Sequence, residues 1–224
     1  MDTILLNNNA VDLMRLGNFD KVTSDFRSAL VKLHRVDQHV AERVAAAAPT
    51  FLSVRSVPLE NSLSNNSSCQ DHHAFSLFDR ALVIDDAELA AVSSIAGQDC
   101  TSAVVLFNTG LALHLEGRRD IRSQQISFKK ALWFYEMAFE ILERCSNSGD
   151  EVNRLVYLAA INNMGHIYSH FCEGREAQHC LHFLQTMLLT MQNSDIDILS
   201  DEYLQFYMNV LILRGQEIAA AAAA

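Results

Sequence analysis

Apolar residues recur at steps of three and four along most of this chain, the spacing that lines one face of an α-helix. Three stretches share the pattern, at about 3–33, 103–143 and 157–190, and each divides into two amphipathic segments. The first segment of each carries a small residue: Ala10, Gly110 or Gly165. The second opens on Val22, Ala131 or Ala177, followed one turn later by Phe26, Tyr135 or Leu181. Glycine inside a helix costs about 1 kcal/mol against alanine, so a packing reason is expected. Small residues let two antiparallel helices approach, and the larger ones fill the groove beside them. The stretch from Arg118 to Ser127 predicts a lengthened turn inside the second pair. Ser146 to Asp150 and Gln192 to Asp195 carry the Asn, Ser, Gly and Asp that mark breaks between pairs. From about Asp201 a single helix runs into the alanines that begin at Ala219. It predicts a cap over the last apolar face.

Residues 45–100 do not follow the helical period. Phe51 to Val57 and Phe75 to Ile84 are rich in β-formers and partly alternate, with Pro58 and the polar run Asn61 to His73 between them. They predict a β-hairpin with a disordered tip, or an irregular loop, inserted around residues 50–90.

The recurring residues Leu106, Gly110 and Leu113, then Ala131, Tyr135 and Ala138, resemble the tetratricopeptide repeat, with counterparts in the other two units. The resemblance covers well over half of the chain. It implies an all-α fold, a short right-handed α-solenoid of antiparallel helix pairs, forming one domain over 1–224. The chain departs from the family in three ways. The proline that usually ends a repeat is missing, Val22 replaces a small residue, and the units are spaced more widely than the family period of about 34 residues.

Two positions before the small residue of each first helix stands an asparagine: Asn8, Asn108 and Asn163, with Asn209 placed to match in the last helix. Asparagine is a mediocre helix former. Its carboxamide offers an acceptor and two donors, enough to bond both the N–H and the C=O of one residue of an extended peptide. In the family, asparagines at this place line a concave groove and grip a ligand's backbone, and the resemblance implies that role here. Helical spacing puts Ile4, Val11 and Arg15 beside Asn8, Val104, Leu111 and Leu115 beside Asn108, and Ala159, His166 and His170 beside Asn163. That face is apolar in its middle and mildly basic at two places. It suits a ligand segment with an apolar anchor. The competing reading is that the asparagines bond to neighbouring helices or water.

The formal net charge is −10, with a pI near 5.3. An acidic surface disfavours nucleic acid and anionic lipid as partners. Five cysteines without framework spacing read as buried free thiols. The N-terminal residues lack the basic region of a secretory signal, and no apolar run approaches the ~20 residues of a membrane span. A cytoplasmic location is therefore expected. The pairs His166/His170 and His179/His182 sit one turn apart, near Cys172 and Cys180, but without a third metal-ligand signature. No phosphate loop, nucleophile elbow or dinucleotide fingerprint occurs. Asp85-Asp86 reads as a turn, and Trp133, Phe134 and Phe139 as core. The expectation is a protein-binding adaptor or scaffold, not an enzyme, with no cofactor and no metal. Self-association through an exposed helix face is the alternative.

Overall fold

In the computed structural model, residues 3–40, 53–59, 75–85, 95–145, 151–191 and 201–222 are described. Among them the chain forms seven helices and one two-stranded antiparallel sheet. The elements are α1 (Thr3–Arg15), α2 (Phe19–Val40), β1 (Val54–Pro58), β2 (Arg80–Ile84), α3 (Ile95–Arg119), α4 (Gln124–Cys145), α5 (Glu151–His170), α6 (Gly174–Met191) and α7 (Asp201–Ala222). They belong to two compact units. The first comprises Met1–Ser64 and Asp79–Tyr157, the second Asn65–Phe78 and Leu158–Ala224. The expected breaks at 146–150 and 192–195 and the expected disordered tip fall outside the described residues, as do Phe51 and Leu52.

In the first unit, α1 turns into α2 through Leu16-Gly17-Asn18. Gly17 takes φ +73°, its N–H bonds Met14 O at 2.9 Å, and Asn18 N–H bonds Leu13 O at 2.9 Å. This is a Schellman ending, which wants a left-handed residue and so favours glycine. The same ending recurs in the second unit after α5, where Cys172 holds φ 58° and Glu173 N–H bonds Tyr168 O at 2.9 Å. A side chain in that conformation costs about 1–2 kcal/mol. Cys172 is exposed, against the expectation of a buried thiol, while Cys100 and Cys180 are buried and free.

The turn from α3 to α4 is shorter than expected, because α3 runs to Arg119 and α4 starts at Gln124. Asp120 tightens it: Oδ1 accepts Arg122 N–H at 3.0 Å and Oδ2 accepts the Ser123 hydroxyl at 2.9 Å. α3 is buried almost all round between Gly97 and Leu115, as a central helix must be. At Gly110 an added Cβ would lie 2.8 Å from the Tyr135 ring and 3.2 Å from Ala131 O. The small residues thus mark close helix contact, as their spacing predicted. Ala10, Val22 and Phe26 are likewise fully buried in the first pair. Trp133 departs from expectation, since it is half exposed on the outer face of α4.

The insertion holds the expected hairpin, but shorter. β1 pairs with β2 from Val54↔Ile84 to Pro58↔Arg80. Pro58, with no N–H to give, ends the strand. Asp85 closes the other end: its N–H bonds Ser53 O at 3.0 Å, and its carboxylate accepts Ser53 Oγ at 3.1 Å and Arg55 Nε at 3.2 Å. The sequence reading of Asp85 as a turn residue gives way to this clasp.

In the second unit, α6 buries Ala177, Cys180, Leu181, Leu184, Leu188 and Met191 along one stripe. α7 buries Tyr203, Phe206, Val210 and Leu213, and the Tyr207 hydroxyl donates to Leu188 O at 3.1 Å.

Two outcomes check this packing. Gly110→Ala should destabilise the chain by about 1–3 kcal/mol through overpacking, measured by urea unfolding, although alanine favours helix by up to ~1 kcal/mol. Gly174→Ala, where a Cβ would meet nothing within 4 Å, should be neutral or mildly stabilising. The pKa of the Tyr157 phenol, whose ring is tilted against Phe139 with centroids 4.6 Å apart, is pushed up to about 12 by burial and then by the Glu143 carboxylate. Its neutral form is favoured in the folded state. The stability it contributes should be full below about pH 10 and fade as pH rises toward 12. Tyr157→Phe should remove that alkaline loss from a pH series of unfolding curves.

Candidate functional site

An extended strand leaves its N–H and C=O groups in two rows, one on each edge, with alternate residues facing opposite ways. Only one edge of β2 is paired with β1. The other edge meets asparagine side chains. In the first unit, Ile84 N–H donates to Asn8 Oδ1 at 3.1 Å and Asn8 Nδ2 donates back to Ile84 O at 2.8 Å. Two residues earlier, Leu82 N–H donates to Asn108 Oδ1 at 2.9 Å and Asn108 Nδ2 donates to Leu82 O at 2.7 Å. Each carboxamide therefore stands in for a residue of a neighbouring strand.

The second unit repeats the device on Phe75 to Phe78. Phe78 N–H donates to Asn163 Oδ1 at 2.9 Å, and Asn163 Nδ2 donates to Phe78 O at 3.1 Å. Ser76 N–H and Oγ donate to Asn209 Oδ1 at 3.3 and 2.6 Å, and Asn209 Nδ2 donates to Ser76 O at 3.1 Å. Gln205 Nε2, one turn earlier on α7, donates to Leu77 O at 2.8 Å on the opposite edge. The four asparagines placed in register by sequence thus share one role, on the first helix of each pair and on α7.

Two partners were missed. Asn7 Nδ2 donates to Leu82 O at 3.0 Å and Asn7 Oδ1 accepts from Asn108 Nδ2 at 2.9 Å. In the second unit, Asn162 Nδ2 donates to Ser76 O at 2.9 Å and Asn162 Oδ1 accepts from Asn209 Nδ2 at 2.6 Å. Each unit therefore contains an asparagine doublet on one helix and a single asparagine on another. The doublets Asn7-Asn8 and Asn162-Asn163 were the signal in the sequence.

The expectation of an open peptide groove is corrected here. In each unit the chain's own backbone, Leu82 and Ile84 in the first and Ser76 and Phe78 in the second, takes the place foreseen for a guest peptide and already bonds the carboxamides. The neighbours assigned to groove lining are placed accordingly. Val104, Leu111 and Leu115 are core residues. His166 is buried and His170 half-buried, its ring 5.7 Å from that of Phe171. Arg15 is exposed and lies 3.8 Å from the Asp12 carboxylate, so it does not join the ladder.

Burial shows how firmly the segment is held. Phe75, Leu77 and Phe78 are buried in the second unit, and Ala81, Leu82, Val83 and Ile84 in the first. At Gly165 the Phe75 ring comes so close that an added Cβ would lie 2.6 Å away, and Phe78 stacks on Phe206 at 5.0 Å. Each large apolar side chain contributes roughly 1.5–3 kcal/mol on burial. The buried side chains of the segment together contribute on the order of 10 kcal/mol of gross burial, divided between the two units. The segment is part of the core.

Among the described residues no group of three or more His, Cys, Asp or Glu side chains could hold a metal ion. Nor is any described helix long and apolar enough to cross a membrane. No protein-family model, no curated protein and no solved structure matches the chain.

Asn108→Ala should lower the unfolding free energy by about 2–4 kcal/mol, since it strips Leu82 N–H of its partner in a buried place. The exposed Asn9→Ala should change it by less than ~0.5 kcal/mol. Equal, small effects from both would show that the carboxamide ladder carries no structural role.

Proposed function

We propose that this chain is a protein-interaction scaffold without catalytic chemistry, built as a short tetratricopeptide-like solenoid. Its contact surface is the outer face of α7 and not the asparagine groove. The observation that carries this reading is the distribution of apolar residues around α7. Opposite its buried stripe, α7 exposes Leu204, Met208, Leu211 and Ile212, which fall at the three- and four-residue steps of one helix face. A capping helix needs a polar outer face, so α7 does not have the character of the cap expected from its place in the sequence. Instead it offers the surface that a further helix pair would cover in a repeat array. Apolar side chains grouped on one face mark an interaction site more often than scattered ones do. The occupied ladder supports the same reading, because it removes the groove as the place for a guest.

A helix of another protein, packing with its own apolar stripe along α7, is the partner this face suits. Self-association is the second reading, and the same stripe favours it, since two copies can pack α7 against α7. A photo-crosslinking residue at Met208 separates the possibilities in the native cell. A heterologous adduct at 208, lost with Leu204→Glu and Ile212→Glu, is the expected result. A homodimer adduct alone supports self-association. No adduct at 208, with adducts at the exposed Thr186 on α6, contradicts the assignment of this face.

A further inference from the structure

Among the described residues of the first unit, Leu16 and Ile121 are the most exposed large apolar side chains, at 77% and 83%. Both sit on helix corners, Leu16 between α1 and α2 and Ile121 between α3 and α4. The two corners are tied together. The Arg119 guanidinium lies 4.2 Å over the Phe19 ring, and Nη1 reaches Gly17 O at 3.5 Å. Ile126, in the first turn of α4, is 60% exposed and adds a third apolar tip.

At the α3–α4 corner the chain changes sign, while the α1–α2 corner, with Asp12, Arg15, Asp20 and Lys21, is balanced in charge. Between Arg118 and Lys130 stand five basic residues and one acidic residue, Asp120, in a protein whose net charge is −10. Both Asp120 oxygens are turned into the α3–α4 turn. The carboxylate of Asp12 lies against Arg15, and Glu116 is the other exposed acid near the end of α3. Arg122, Lys129 and Lys130 are exposed.

The geometry points to this rim as a docking site for an anionic membrane surface. Exposed aliphatic tips flanked by several Lys and Arg are the combination by which peripheral proteins hold bilayers. The tips enter the boundary between headgroups and acyl chains, and the cations meet the phosphates. The tips project from corners. A folded protein partner would have to supply a matching cavity for each, whereas a fluid interface closes around any convex tip. From Gln124 to Lys130 α4 rises about 9 Å, so Ile126 and both lysines lie within the ~5–10 Å span of an interfacial contact. The overall negative charge argues against such a surface only at long range. Beyond a Debye length of about 8 Å, distant carboxylates are screened, and the local rim governs the encounter.

The test is sedimentation of the full chain with vesicles of phosphatidylcholine, with and without one third phosphatidylserine, at low salt. The chain should pellet with the anionic vesicles at least about tenfold more tightly than with the neutral ones. Added salt should weaken the binding. Lys129→Glu with Lys130→Glu should reduce binding about tenfold or more, and Leu16→Ser with Ile121→Ser should reduce it as well. All four positions are exposed, so the fold should survive, as circular dichroism would verify. Arg175→Glu with Arg214→Glu, an equal charge change at exposed sites on α6 and α7, should leave binding unaltered. No sedimentation with anionic vesicles, equal sedimentation with neutral ones, or variants that bind as the parent does would overturn the proposal.

Discussion

The pairing of a side-chain carboxamide with both polar groups of a backbone residue is the constraint from which the rest of this structure follows. A strand buried on both faces must find partners for two rows of backbone groups. β1 supplies one row for β2. The other row cannot come from a helix backbone, whose groups are already engaged along its own axis. Asparagine solves the conflict: it keeps the helix and projects an amide that bonds as a strand would. Asn8 and Asn108 do this for Ile84 and Leu82, and Asn163 and Asn209 do it for Phe78 and Ser76.

The constraint extends into the helices. Asn7 and Asn162 serve as buttresses, orienting the single asparagines opposite them and taking up the spare lone pair of the strand carbonyls. A doublet therefore has to stand on α1 and on α5. Gly165 is needed where the Phe75 ring approaches. With the backbone satisfied, Phe75, Phe78, Leu82 and Ile84 can be buried without leaving a polar group stranded. The cost of an unmade buried hydrogen bond, about 1–3 kcal/mol each, would otherwise consume much of what those side chains contribute.

Much of this was legible in the sequence. The helix pairs, their small contact residues and the register of Asn8, Asn108 and Asn163 follow from period and spacing, whereas Asn209 was set in register by the asparagine itself. The alternation in Phe75 to Ile84 marked an extended segment, and Pro58 marked where its partner strand would end. What the ladder holds was not legible, because a carboxamide bonds any extended backbone alike and its position on a helix does not reveal whose chain lies against it. The exposure of Trp133 escaped for a related reason: aromatic residues on a helix signal burial somewhere, but the sequence does not say whether a neighbour covers that face. α7 reads as apolar all round, and only packing decides which stripe is left uncovered. The basic rim was hidden by the net charge, since Arg118 and Lys130 are separated in sequence by the turn that brings their helices together.

The most direct test of the central claim is amide hydrogen exchange at Ser76, Phe78, Leu82 and Ile84, followed by NMR or by fragmentation mass spectrometry. The account predicts that these four amides exchange as slowly as the core of α3, through opening on the scale of global unfolding. Exchange as fast as in an exposed turn such as Ile121 to Ser123, with the helices still protected, would contradict it: the segment would then be a loosely held occupant, and the asparagines would be free to receive another chain.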